Sequence, residues 1–206
     1  MGKALAAWLL VAAAAASQGG PPRDVVQGAV TRVIAIVSEE PDSAEHRREE
    51  LRRIAADVFD FDEMARRALS RHWAARSKAE QAEFRELFTD LLERTYVSRL
   101  ESYAGEKITY PTEVVDGNYA TVRSRIVTRR SETALDYRLH LDGGRWRVFD
   151  ISVDGVSFVS TYRSEFNRII QASSYSSLLD RLRKKRIEID ALARRTDRTP
   201  PAAATR

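Results

Sequence analysis

The chain has 206 residues, enough for one domain with tails and short of a two-domain enzyme. Hydrophobic residues make up 43% and charged residues 31%, and the mean hydropathy of −0.42 excludes a polytopic membrane protein. There is no cysteine, which excludes a disulfide scaffold, a thiolate metal site, a cysteine nucleophile and a lipid-modified N-terminal cysteine; three histidines supply little for imidazole metal chemistry.

Residues 1–16 read as an address. Lys3 is followed by an apolar run from Ala4 to Ala16, too short to span a bilayer comfortably, and Ala14-Ala15-Ala16 offers the small residues of a cleavage site. A cleaved export signal is expected, with the mature chain starting near Ser17; in a bacterium this means the periplasm. Charge is uneven. Nine Arg/Lys against three Asp/Glu from Arg181 to Arg206 put six positive charges in the tail, and Lys3 holds one in the leader, so residues 17–180 carry −3 of the net +4. The densest cluster, Arg181 to Arg186, fits a solvated helix end or attraction to anionic headgroups or an acidic partner. The body offers no basic face for nucleic acid. Residues 187–206 are expected to be a basic, disordered tail.

Between leader and tail the pattern runs helices, sheet, helices. Asp24 is placed to cap a helix to about Ser38, striped by Val26, Val30, Val33 and Val37. Pro41-Asp42 ends it. A second helix runs from Ser43 to Val58 and a short one from Asp62 to Leu69. Ser77-Lys78-Ala79-Glu80 is a capping box opening the longest helix, to about Tyr103, with Phe84, Leu87, Phe88, Leu91, Leu92, Thr95, Tyr96 and Leu100 on one stripe. The period then changes from 3.6 to 2. Ile108–Val114 is a strand made an edge or a bulge by Pro111. Tyr119–Thr128 sets Ala120, Val122, Ser124 and Ile126 on one face. Ala134–Leu141 sets Leu135, Tyr137, Leu139 and Leu141 against Asp136, Arg138 and His140. After the Asp142-Gly143-Gly144 turn, Arg145–Val153 divides Trp146 and Val148 from Phe149, Ile151 and Val153, an apolar share for both faces. Helices from about Ser160 to Ala172 and from Tyr175 close the order. Strands in succession flanked by helices predict an α+β fold: an antiparallel sheet of about four strands with helices on its apolar face.

Catalytic chemistry is nearly absent. His46, His72 and His140 lie on three elements, and His140 reads as solvent-exposed on a polar strand face. Gly155-Val156-Ser157-Phe158-Val159 lacks the second glycine of a nucleophile elbow. Asp60, Asp62 and Glu63 read as cap and dipole charges rather than metal ligands. No cofactor and no metal are expected. What stands out is apolar supply, which fits either a packed core or a cavity for a greasy ligand.

Certain residues carry a resemblance. Phe59-Asp60-Phe61-Asp62-Glu63-Met64-Ala65-Arg66-Arg67-Ala68-Leu69 is followed by Trp73, then by Phe84, Leu87, Phe88, Leu91, Leu92, Thr95 and Tyr96. Next come Asp136-Tyr137-Arg138-Leu139, Trp146-Arg147-Val148-Phe149-Asp150-Ile151, Gly155 to Val159, and Tyr162-Arg163-Ser164 with Phe166. In this order they resemble the MlaC family, the toluene-tolerance auxiliary family, over roughly residues 24–186. Phe149 stands where Tyr is expected, Phe158 where Leu is commoner, and Ser70 where Gly is commoner. The resemblance implies one lipid-binding domain over residues 17–186, with helices on a curved sheet and a deep apolar cavity between them. It implies a soluble periplasmic phospholipid carrier and not an enzyme, moving lipid between an outer-membrane lipoprotein complex and an inner-membrane ABC transporter with MCE-type rings. A related subgroup is associated with hopanoid synthesis, and a periplasmic interaction module without lipid stands as a further alternative. For a carrier, the candidate lining is Phe88, Leu91, Leu92 and Tyr96 from the long helix, Val122, Tyr137, Leu139, Val148 and Ile151 from the sheet, and Val156, Phe158, Phe166 and Ile169 beyond it. Tyr162 and Arg163 stand either at the cavity mouth or as a surface pair.

Overall fold

The computed structural model describes residues 20–38, 43–100, 105–128 and 131–184, with the side chains of residues 97–99 excepted. The export signal and the tail read from the sequence lie outside these. Helix α1 (Pro22–Ser38) is followed by α2 (Ala44–Val58), α3 (Phe61–Leu69), one 3-10 turn (Ser70–His72) and α4 (Lys78–Leu100). Strands β1 (Lys107–Asp116), β2 (Tyr119–Val127), β3 (Glu132–Asp142), β4 (Arg145–Val153) and β5 (Val156–Ser157) come next, then α5 (Phe158–Ala172) and α6 (Tyr175–Arg183). The strands form one antiparallel sheet in chain order, so the α+β class holds with five strands instead of about four.

Helix starts follow local hydrogen bonding. Pro22 opens α1, where its missing N–H leaves nothing unpaired, so the helix begins before Asp24 and that residue lies in its first turn. Ser43 Oγ accepts from His46 N at 3.1 Å, and Asp60 Oδ1 accepts from Glu63 N at 2.8 Å. The capping box is reciprocal: Ser77 N donates to Glu80 Oε2 at 2.8 Å and Glu80 N to Ser77 Oγ at 3.3 Å. The bonds that Glu80 Oε2 accepts, from Ser77 N and from Ser77 Oγ at 3.0 Å, hold its carboxyl below its usual range. α5 starts at Phe158, two residues before the expected Ser160, because Ser157 is its cap.

Two irregularities shape the sheet. Between Thr109 and Thr112 the pairing of β1 with β2 shifts, at Pro111. Between β3 and β4, Arg138 faces Asp150 while Leu139 faces Val148, so Phe149 is an extra residue, a β-bulge. The bulge changes the expected division of β4. Trp146, Val148, Ile151 and Val153 all pair with the Leu141, Leu139, Tyr137 and Leu135 set, on one face. Phe149 alone turns to the other face, against Tyr119 and His140, with ring centroids 6.1 and 5.7 Å away. A two-residue turn, Asp154-Gly155, with φ of 48° and 83°, then returns the chain as β5.

The helices form two bodies. α1 and α2 cover the inner, apolar face of the sheet through Val26, Ala29, Ile54 and Val58. α3 to α6 form a second core around Phe84, Phe88, Tyr162 and Phe166, reached from the sheet by Phe149. The Phe59–Asp60 link joins the two. Phe59 bridges Val148 along the β4 edge, and Asp60 N donates to Val148 O at 2.8 Å.

Candidate functional site

The inner sheet face is built by alternation plus the bulge. Register places Val122, Tyr137 and Ile151 in one row, and Ala120, Leu139 and Val148 in the next. Without the extra Phe149, Ile151 and Val153 would fall on the outer face, since one residue of slip inverts every side chain. Burial grades along this face. Val122, Leu139 and Val148 are shut completely beneath α1 and α2. Tyr110, Leu135 and Ile151, with Val25, Val30 and Val33 of α1, are only half-buried around them.

Leu135 and Ile151 also belong to a small third cluster with Val153 and Phe158. Tyr96, near the end of α4, stacks flat on Phe158 with centroids 4.6 Å apart and 12° between planes. An apolar strip, half-buried at Tyr96, Leu135 and Ile151 and buried at Phe158 and Val153, therefore runs from the Tyr96–Phe158 stack onto the inner face. Two hydroxyls are seated here. Ser124 Oγ donates to Leu135 O at 2.9 Å, and burial, then the Tyr110 phenol beside it, pushes the Tyr137 phenol far up, so it stays neutral. The side chains that form the strip are uncharged and remove hydrocarbon from water, with Asp154, bound to Ala134 N at 3.0 Å, at its margin.

The thirteen residues expected to line a cavity fall in separate places. Phe88, Leu91, Leu92, Phe166 and Ile169 lie in the helical core. There Phe84, Phe88, Tyr162 and Phe166 lock together edge-to-face and stacked, with centroids 5.2–5.9 Å apart. Val122, Tyr137, Leu139 and Val148 lie on the inner face, and Ile151, Phe158 and Tyr96 on the strip. Val156, in β5, is 39% exposed. Tyr162 is fully buried in the aromatic cluster, which corrects its reading as a mouth or surface residue; its i, i+4 partner Phe166 was the signal. Leu135 and Val153 complete the strip and were not expected there. Leu135 was legible from its alternation with Tyr137, whereas Val153 was hidden by the bulge.

The polar residues singled out in the sequence are tied into the scaffold. Ser157 Oγ donates to Asp150 Oδ2 at 2.6 Å and accepts from Ser160 N at 3.0 Å; Asp150 Oδ1 accepts from Val159 N at 3.1 Å. The pair clamps the start of α5 to the bulged part of β4. His140 is not free on the surface: its Nε2 lies 2.8 Å from Asp60 Oδ2, half-buried beside Phe149. Burial opposes charge on Glu63, yet hydrogen bonds from Arg66 and Arg67 outweigh it and hold the carboxyl below its usual range. Among the described residues no group of three or more His, Cys, Asp or Glu is placed to hold a metal. A separate surface cleft of about 410 Å³ lies among α2, α3 and α4, lined by Phe61, Asp62, Arg85, Glu86, Asp90, Glu93 and Arg147; it is charged and contains none of the apolar strip.

Fold and site together define an α+β domain that offers a neutral apolar face between a sheet and its helices. The chain belongs to the MlaC protein family, which it matches over residues 27–184. It is 26% identical over 157 residues to the toluene tolerance protein Ttg2D of Pseudomonas putida, covering 73% of each chain. A phospholipid-binding protein from Ralstonia solanacearum, solved in complex with a phospholipid, superposes with a TM-score of 0.74 at 24% identity, over 81% of this chain and 97% of that one. That likeness establishes the fold. No helix among the described residues is long and apolar enough to cross a membrane.

Proposed function

We propose that this protein is a periplasmic carrier that shields phospholipid acyl chains and shuttles the lipid between outer- and inner-membrane complexes, an outer-membrane lipoprotein complex and an inner-membrane ABC transporter with MCE-type rings. The observation that carries the reading is the neutral apolar strip formed by Tyr96, Phe158, Val153, Leu135 and Ile151. Family membership and the phospholipid seen in the Ralstonia relative support it. Exposing hydrocarbon costs about 0.8 kcal/mol per CH₂, so two chains of about 16 carbons represent on the order of 20 kcal/mol in water. A carrier returns most of that by burial and leaves the headgroup in solvent. No residue need be a nucleophile or a metal ligand, and Ser157, the one serine in a partial elbow motif, is committed as a helix cap.

Mass spectrometry of lipid extracted from detergent-free protein, purified from a bacterial periplasm, tests the reading. Phospholipid at a fixed molar ratio is the expected result. Protein that emerges folded and free of lipid, and takes none from vesicles, overturns it. N-terminal sequencing of the same sample is expected to begin near Ser17, and an intact Met1 removes the export step.

A further inference from the structure

Building on the carrier reading, we propose that the second half of α1, from Val30 to Ser38, is a gate over the acyl-chain site and opens by bending at Gly28. Gly28 lies inside a 17-residue helix, where glycine is less favourable than alanine and weakens the turn it stands in. Neither usual reason for a glycine applies there. Its backbone is helical, so no left-handed φ is needed. It is also exposed, and a Cβ added to it would find open space for 4 Å around, its own helix backbone apart. What a glycine supplies in such a place is a helix that bends.

Burial changes at the same point. Pro22, Val26 and Ala29 are buried, and no residue of α1 beyond Ala29 is. The first half is anchored: Arg23 N donates to Glu113 Oε2 at 2.6 Å, and Val26 and Ala29 are packed into the inner-face core. In the second half Val30, Val33, Ile34, Ile36 and Val37 are all half-buried. Val30, Val33 and Ile36 border the same buried cluster as Leu135 and Ile151 of the strip. Arg32 ties this half to α2 through Asp57 at 3.0 Å, but both side chains are about half exposed, and a surface pair of this kind adds little.

Composition makes the opening accessible. Val30, Thr31, Val33, Ile34, Ile36 and Val37 are β-branched, and such side chains lose rotamer freedom in a helix. The last turn has no basic residue to complement the helix dipole. This half is therefore helical because of what it packs on and not by its own preference, which is the condition for local opening. Acyl chains on the strip give it more to pack on and close it. An empty site leaves it free to swing from Gly28 while the anchored half stays in place.

Transfer of a pyrene-labelled phosphatidylglycerol between the full mature chain and phosphatidylcholine vesicles, followed by stopped flow, tests the gate. Gly28→Ala adds one methyl group into open space, so the fold is kept. Uptake and release should both slow about fivefold, with the partition between protein and vesicle unchanged. Ala35→Gly, exposed on the moving half, should quicken both by a similar factor. Ala56→Gly, exposed on α2, weakens its own helix as much and should change neither rate. Rates unmoved by Gly28→Ala, or moved as far by Ala56→Gly as by Ala35→Gly, overturn the gate and leave the carrier standing; a native chain that takes up none of the probe ends both. Amide exchange on the lipid-free chain reads the hinge without lipid. Protection should step down after residue 28, and Gly28→Ala should restore it over residues 31–38. Uniform protection along α1, or a gradual fall toward Ser38 that Gly28→Ala does not alter, overturns the hinge.

Discussion

Ser70 closes α3 with φ 52° and ψ −126°, a conformation glycine adopts freely and serine does not. Ser70→Gly should therefore stabilise the fold by about 1 kcal/mol, the relieved strain exceeding the added freedom of the unfolded chain. A urea midpoint that falls would show that the turn is held by something other than backbone preference. Ser157 works in the opposite sense. Its hydroxyl caps α5 and donates to buried Asp150, so Ser157→Ala should cost about 1–2 kcal/mol while leaving lipid content per folded molecule unchanged. Loss of lipid at unchanged stability would place Ser157 at the ligand instead. Neither residue's role follows from its neighbours in sequence alone. Ser157 has a cap pattern, but Asp150, which orients it, is seven positions upstream and is brought alongside by the β4–β5 hairpin.

At the scale of elements, α3 has the clearest electrostatic signature. Glu63 in its first turn accepts from Arg66, at 2.7 Å to Nε, and from Arg67, at 2.6 Å. These bonds overcome the burial that opposes its charge and depress its pKa. A depressed carboxyl contributes stability that is present above its unfolded pKa, about 4.3, and is lost as pH falls through the folded value. Glu63→Gln should therefore destabilise at pH 7, with the gap to the native protein closing as pH falls through the depressed folded pKa, in urea titrations at several pH values. A gap constant with pH would mean that packing, not charge, is what Glu63 supplies. The elements themselves were largely legible, because local signals set them: Ser43, Asp60 and the Ser77–Glu80 box cap the predicted helices, and period-2 alternation marks β2 and β3. What was not legible depends on one residue or on distance. The Phe149 bulge looks in sequence like apolar residues on both faces of β4, when only one face is continuous. β5 is two residues long, too short to show a period. His140 alternates as an exposed residue should and is claimed instead by Asp60, eighty positions earlier, at the α2–α3 link.

The molecule as a whole divides its apolar residues between a closed helical core and a graded sheet face, and the two should answer mutation differently. Phe88 sits fully buried between Phe84, Tyr162 and Phe166. Phe88→Ala leaves a cavity in that core and should cost about 3–5 kcal/mol, with the folded fraction still carrying its lipid. Leu139 is equally buried but on the inner face beneath α1 and α2, so Leu139→Glu sets a carboxylate where water has no access. Its penalty of several kcal/mol is a large part of the stability of an ordinary domain, and the chain should not fold. Ile151 is in the same sheet face, two strand positions from Val153, yet half-buried at the strip. A carboxylate there reaches water when no acyl chain covers it and opposes one that does. Ile151→Glu should give a folded protein depleted of phospholipid, read by circular dichroism and lipid extraction on one sample. The contrast between Leu139 and Ile151 is the decisive part, since both substitutions put the same charge on the same face. If Ile151→Glu folds and keeps full lipid, the strip does not hold the acyl chains. If Phe88→Ala is the variant that empties while staying folded, the chains lie among the helices, and the inner sheet face is core.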